Sequence, residues 1–179
     1  MSYVQVARRI RVPVGFIAAA LYVWLAWPTW SSILFGSAII LPALVLRTAA
    51  SGHVKKNQEV TTSGPYSYTR NPLYLGSIIL VIGFGVASRN LWLATALIMI
   101  FVALYLPVIR AEEDFLRSRF PEFSDYAQRV PRIIPRLAAG DSRSEFSGAL
   151  YRKHREYNAA LGSVGMMILL ILKLHFVPR

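Results

Sequence analysis

"PLYLGSIILVIGFGVASRNLWLATALIMIFVALYLPVI", Pro72 to Ile109, carries a single charge, Arg89, in thirty-eight residues. The two halves around it, 73–88 and 91–109, are apolar throughout and follow neither helical nor strand period. Each is close to the ~17–25 residues that carry an α-helix through a bilayer. "SRN" between them is short and polar enough to turn one helix into the next, so the stretch predicts a transmembrane hairpin. A third uncharged window, 12–46, holds two more helices if the chain reverses at "WPTWSS".

The expected spans are about Val12–Trp27, Trp30–Leu46, Pro72–Ser88 and Leu91–Ile109, with Pro28 ending the first and Pro42 inside the second. Trp24, Trp27 and Trp30 suit the aromatic belt of a membrane interface. A last apolar stretch, Ala159–Leu172, is short for a span, but snorkelling by Lys173 and His175 extends it to Val177. Residues 110–156 are charged with apolar residues at helical spacing, which suits helices lying on the membrane surface. The fold class is therefore all-α and integral to the membrane. About five transmembrane helices are expected, with cytoplasmic interfacial helices after the fourth, in one membrane domain over 1–179.

Composition agrees. Of 179 residues 55% are hydrophobic and 16% charged, against about 25% charged in soluble domains. The net charge of +11 raises the question of nucleic acid, and its placement answers it. Arg8, Arg9 and Arg11 precede the first block; Arg47, Lys55, Lys56 and Arg70 lie between the second and third helices. Ten more lie between Arg110 and Arg155, leaving Arg89, Lys173 and Arg179. Seventeen of twenty fall on one side of a five-span chain, which is the positive-inside pattern. The basicity reports topology, N-terminus inside and C-terminus outside, and no nucleic-acid partner is expected.

The three early arginines before an apolar run also resemble a signal peptide. The run continues to Leu46 without a small-residue cleavage site, so a retained helix pair is expected. Cysteine is absent, which removes disulfides, thiolate metal sites and a thiol nucleophile. "GFG" at Gly83–Gly85 lacks the strand and third glycine of a dinucleotide fingerprint and reads as close helix packing. "AALGSVG" in the last helix reads the same way.

The chemistry concentrates at the entry to the hairpin, "GPYSYTRNPLYLG" (Gly64–Gly76). Asn71 is held out of the α region by the following proline; Pro72 suits the first helical position, and Asn71 is a good N-cap. The positive end of the third helix then meets the membrane interface beside Arg70, where it can hold an anion. An ordinary capped helix start with tyrosine anchors is the plainer alternative. Just past the fourth helix stands "IRAEEDFLRSRF". On a helical wheel Ile109, Leu116, Phe120 and Phe123 share a face and Glu112 falls among them. Glu113 points about 100° away, with Asp114 and Arg117. A carboxylate on an apolar face needs a partner, and an ion pair with Arg119 or a solvated helix end are the alternatives to a ligand.

Together, "VTTSGPYSYTRNPLYLG", "RAEEDFL" and "FPEFSDYAQRVPRIIP" resemble the isoprenylcysteine carboxyl methyltransferase and phospholipid methyltransferase superfamily. The resemblance covers about 58–135, the expected cofactor-binding core, and leaves 141–179 as a C-terminal extension with the last helix. It implies a polytopic membrane enzyme that uses S-adenosylmethionine. Cofactor contacts carry over to Gln58, Glu59, Val60, Thr61, Tyr66, Arg70, Asn71, Pro72, Leu73, Tyr74, Glu112 and Glu113. Asn71 stands where the family has a histidine, so acid–base work at that position is lost while capping is kept. The carboxyl methyltransferases set a substrate-binding arginine four residues before the glutamate; here that position is Val108. Arg110, with Glu112, is the remaining candidate for the chemistry.

The implied reaction is methyl transfer to a lipidic or prenylated acceptor at the cytoplasmic face, most like isoprenylcysteine carboxyl O-methylation. Phospholipid N-methylation is the near alternative. A nicotinamide-dependent membrane reductase and a non-catalytic scaffold are the distant ones. The site would face the cytoplasm from a plasma or inner membrane in a bacterium, or from the endoplasmic reticulum in a eukaryote. No metal is expected.

Overall fold

The computed structural model describes residues 3–55, 58–137 and 145–177. Lys56, Arg143 and Arg179 of the charge pattern, and the first residues of the expected C-terminal extension, lie outside them. The described residues are all-helical: α1 Tyr3–Leu25, α2 Trp30–Ser51, α3 Pro72–Ser88, α4 Leu91–Arg119, α5 Phe123–Arg129, α6 Gly148–Lys153 and α7 Tyr157–Phe176. Helices α2, α4 and α7 are each long and apolar enough to cross a membrane; Pro13–Leu25 and Pro72–Ser88 are shorter apolar helices. Exposed Phe16, Trp24, Leu34, Phe35 and Trp92 are the surface such helices offer to lipid. The chain is an integral membrane protein.

The turns form as the polar punctuation dictates. Thr29 caps α2 by accepting from the Ser32 amide, and the Ser32 hydroxyl accepts from the Thr29 amide in return. Between α3 and α4, Arg89 takes the left-handed conformation (φ 50) and Asn90 caps α4 by accepting from the Leu93 amide. Two helix ends differ from expectation. Helix α2 runs five residues past Leu46, to Ser51, and α4 runs ten past Ile109, to Arg119. At both points the polarity of the sequence changes, but no proline or glycine interrupts the helix.

Helices α2 and α3 make the tightest pair. A Cβ on Gly36 would stand 2.6 Å from Ala87 Cβ and 2.7 Å from the Gly83 carbonyl; one on Gly83 would stand 2.6 Å from Ile40. Without a solvent-driven force between helices in lipid, such close backbone contact is what holds them. Gly85 similarly admits Ala94 of α4. The glycines of "AALGSVG" behave otherwise: Gly162 and Gly165 of α7 face open space. Those two positions are not the expected packing face; α7 buries Ser163 and Leu170 instead.

The bundle has two unlike ends. At one, Tyr22, Ala26, Ile33, Ala87, Leu93 and Leu170 form an apolar core. At the other meet the C-terminal ends of α2 and α4, the start of α3 and the start of α7, joined through Arg47, Asn71, Glu113 and Glu156. This second, basic end carries the candidate site.

Candidate functional site

Pro72 opens α3 and is buried; its fixed φ and missing N–H cost nothing there. Asn71 occupies the N-cap position (φ −128, ψ 56), yet its side chain makes no capping hydrogen bond. Its Nδ2 donates instead to Glu113 Oε1 at 2.9 Å and to the Arg132 carbonyl at 3.1 Å. The expected capping role is thus corrected. A buried carboxylate is costly to leave short of donors, and the asparagine serves it. The first turn of α3 keeps a positive end with no side-chain cap.

Glu113 is the centre of the site. It is 4% exposed. Arg132 Nε and Nη2 lie 2.9 and 2.8 Å from its Oε2, and Arg70 Nε lies 3.6 Å from its Oε1. That last distance is an ion pair, not a hydrogen bond, and Arg70 Nε is buried without a hydrogen-bond partner. The wheel had assigned the buried role to Glu112, which is exposed, as is Arg119, its suggested partner. The reason lies at Pro121. Helix α4 ends before it, so Phe123 belongs to α5 and drops off the wheel. The face that remains, Ile109, Glu113, Leu116 and Phe120, follows the 4, 3, 4 spacing of one helical stripe and contains Glu113.

A strap holds this arrangement from outside. Residues 130–137 run alongside 67–71 in the opposite direction. The Arg70 amide donates to the Pro131 carbonyl (2.9 Å) and the Arg136 amide to the Tyr68 carbonyl (3.0 Å). Thr69 Oγ1 donates to the Arg132 carbonyl and Arg136 Nε to the Ser67 carbonyl. Below lies the 3-10 turn Gly64–Ser67. Gly64 has φ +55, a conformation that glycine takes at least cost, and a Cβ there would stand 2.6 Å from the His53 ring. His53 is packed into this turn. Its Nδ1 lies 2.7 Å from the Ala49 carbonyl and its ring abuts Phe146.

Tyr66 is buried in that turn, and the Tyr126 hydroxyl donates to its carbonyl at 2.8 Å. Burial raises the Tyr66 phenol above its usual range; Tyr126, Glu112, Glu156 and Tyr74 push in the same direction. Burial raises Tyr126 too, against the opposing charges of Arg70 and Arg136. Both remain neutral phenols at physiological pH, hydrogen-bonding groups and not bases.

The structure therefore brings together Tyr66, Arg70, Asn71, Pro72, Leu73, Tyr74 and Glu113. Tyr74 packs edge-to-face on Tyr105, which stacks on Phe101. Val60 joins through the α5 cluster of Phe123, Tyr126 and Val130, and Thr61 Oγ1 accepts from the Lys55 amide. Glu112 stands on the exposed rim. Gln58 and Glu59 are exposed, and Glu59 pairs with Lys55 at 3.0 Å. Arg110 is turned outward into an open groove on α4 with Leu106, Pro107 and Asp114, away from the Glu113 network. Arg132 and Arg47 had not been singled out from the sequence. Arg132 stands in the closing "VPR" that the resemblance had already covered. Arg47, a charge at the end of an apolar helix, is the kind of residue that usually has a function in membrane proteins.

Comparisons with known proteins fit this geometry. Two curated relatives are a nickel-cobalt-cadmium resistance protein from Alcaligenes xylosoxydans xylosoxydans and a cobalt-zinc-cadmium resistance protein from Cupriavidus metallidurans. The first is 40% identical over 92 residues, 51% of this chain and 43% of the relative. The second is 43% identical over 84 residues, 47% of this chain and 39% of the relative. The matched part of the chain thus spans about two fifths of these relatives' length. No solved structure matches. The family model for phospholipid methyltransferases matches residues 10–122, from α1 to just past α4 and across Tyr66, Asn71 and both glutamates. The chain belongs to the phospholipid methyltransferase family, within the superfamily of isoprenylcysteine carboxyl methyltransferase-like membrane methyltransferases.

Proposed function

We propose that the chain transfers a methyl group from S-adenosylmethionine to a lipidic or prenylated acceptor at the cytoplasmic membrane face, most like isoprenylcysteine carboxyl O-methylation. The observation that carries this reading is the Asn71–Glu113 hydrogen bond. It closes the start of α3 onto the end of α4 and builds a buried polar site at the basic end of a membrane bundle. The cytoplasmic assignment rests on the charge of that end.

The residues present fit the cofactor. The uncapped start of α3 and the buried Nε of Arg70, which has no hydrogen-bond partner, attract a carboxylate. Glu112 on the rim offers an acceptor for an ammonium group or ribose hydroxyls. The bound cofactor supplies an electrophilic methyl group, whose carbon–sulfur bond electrons leave with the sulfur as the acceptor's lone pair forms the new bond. The protein's part is then positioning and electrostatics. A carboxylate acceptor needs no general base, which agrees with Asn71 in place of histidine and with neutral Tyr66 and Tyr126. The family's own description favours a second reading, N-methylation of a phospholipid headgroup. The relatives' names concern metal resistance and leave the acceptor unnamed. Among the described residues no group of three or more His, Asp or Glu is placed to hold a metal ion.

The test is a labelled-methyl transfer assay on the full chain in lipid nanodiscs, against prenylated cysteine peptides and phospholipid extracts. Label released as methanol by base is expected, the mark of a carboxyl ester. Base-stable label in phospholipid would move the reading to N-methylation. Transfer to neither acceptor, with no cofactor binding, would overturn it.

A further inference from the structure

A segment beyond the family-matched region docks on the same end of the bundle. Phe146 lies on Gly52, where a Cβ would come within 2.2 Å of its ring. The Ser147 amide donates to the Gly52 carbonyl at 2.9 Å, and His154 Nδ1 lies 3.1 Å from the Ser51 carbonyl. The backbone then reverses at Arg155, a non-glycine residue with φ 52. Such strain persists only where surrounding contacts enforce it. What it delivers is Glu156, whose carboxylate pairs with Arg47 of α2. That guanidinium in turn donates to the Leu73 carbonyl at 3.1 Å and to Ser77 Oγ, both on the first turns of α3, while its stem fills the space left by Gly76.

We propose that Glu156, acting through Arg47, is a positioning residue of the site, fixing the first turn of α3 from which Asn71 and Tyr74 are presented. The proposal rests on the reading of that helix start as the cofactor site. Two charges this far out of solvent are costly to keep, and plain anchoring of α7 does not require them. The opposite end of α7 is anchored by Lys173, which donates to the Val23 and Trp24 carbonyls at 2.8 and 2.6 Å and lies over the Trp27 ring.

Lys173 also supplies the control. The full chain in detergent is compared with Glu156→Gln, Ser77→Ala and Lys173→Met by S-adenosylmethionine calorimetry, and ligand-free by melting and hydrogen exchange. Glu156→Gln is expected to weaken affinity about tenfold and to speed exchange at Leu75, Gly76 and Ser77, the first bonded amides of α3. Ser77→Ala, which removes one contact without stranding a charge, should shift both in the same direction by less, and decides the matter if Glu156→Gln does not fold. Lys173→Met should lower the melting temperature and leave affinity and those amides unchanged. Unchanged exchange at Leu75–Ser77 in Glu156→Gln, or equal exchange in Lys173→Met, overturns the proposal. A parent that binds no cofactor overturns the site reading instead, and the exchange data still decide the role of Glu156.

Discussion

The two ends of α3 solve the same problem with different chemistry. Where α3 gives way to α4, the turn residue Arg89 is exposed and the turn is held by hydrogen bonds between neutral groups. The Trp27 amide donates to the Ser88 carbonyl, Ser32 Oγ to the Ala87 carbonyl, Ser88 Oγ to the Gly85 carbonyl, and Asn90 Nδ2 to the Leu25 carbonyl. At the start of α3, reached through the longer connection 52–71, the chain surrounds itself with Glu113, Arg70, Arg132 and, a turn later, Arg47 with Glu156. Neutral bonds suffice to turn a chain, as the far end shows. Buried ion pairs often contribute less to stability than apolar replacements would, so their concentration around the start of α3 points to work beyond folding.

The largest effect should come from removing the hub of the charged end. Glu113→Ala leaves Arg70 and Arg132 without their carboxylate and should cost about 3 kcal/mol, toward the lower side because Arg132 is partly solvated. The melting temperature in detergent reports it. A melting temperature equal to the parent's would mean that the network is incidental and the contrast between the ends is empty. Next comes Asn71→Ala, which strips two hydrogen bonds from Glu113 and the strap, worth about 1–2 kcal/mol together, and should weaken S-adenosylmethionine binding. Asn71→His restores a donor toward Glu113 and should keep binding. If the alanine variant bound as well as the parent, the helix start would not line the site.

The outer end supplies the matching control. Asn90→Ala removes an N-cap bond to the Leu93 amide and should cost about 1 kcal/mol of stability with cofactor affinity unchanged by calorimetry. A loss of affinity there would show that the two ends are not separable.

How much of this was legible in the sequence depends on the range of the signal. The Pro72–Ser88 helix and the Leu91 start of α4 were read correctly, because Asn-Pro and Arg-Asn punctuate apolar runs. The end of α4 was not, since Arg110–Arg119 changes polarity while remaining good helix-forming sequence. The choice between adjacent glutamates failed on one residue: Phe123 was counted on a helix that Pro121 had already ended. Tyr66, Arg70 and Asn71 could be named together from the sequence because they are local to one motif. Arg132 lies nineteen residues from its partner Glu113 and Glu156 more than a hundred from Arg47, and neither pairing has any local signature. Those contacts are made by the folded bundle alone.

The smallest effect on folding should come from Glu112, and it is the most informative about function. Glu112 is exposed, so Glu112→Gln removes a solvated charge and should shift stability by no more than about 0.5 kcal/mol. Under the proposed function its carboxylate accepts hydrogen bonds from the cofactor's ammonium or ribose hydroxyls. Hydrogen bonds to a charged group are worth about 1.5–3 kcal/mol each, so losing one should weaken S-adenosylmethionine roughly ten- to a hundred-fold. Glu113→Gln should behave oppositely, lowering the ligand-free melting temperature because the amide cannot balance Arg70 and Arg132. Calorimetry and melting of both variants therefore divide the pair into a residue that holds the site and a residue that meets the ligand. If Glu112→Gln binds like the parent, the rim carboxylate is only a solvated helix end, and ligand contact rests on the buried side, with Asn71, Arg70 and Tyr66.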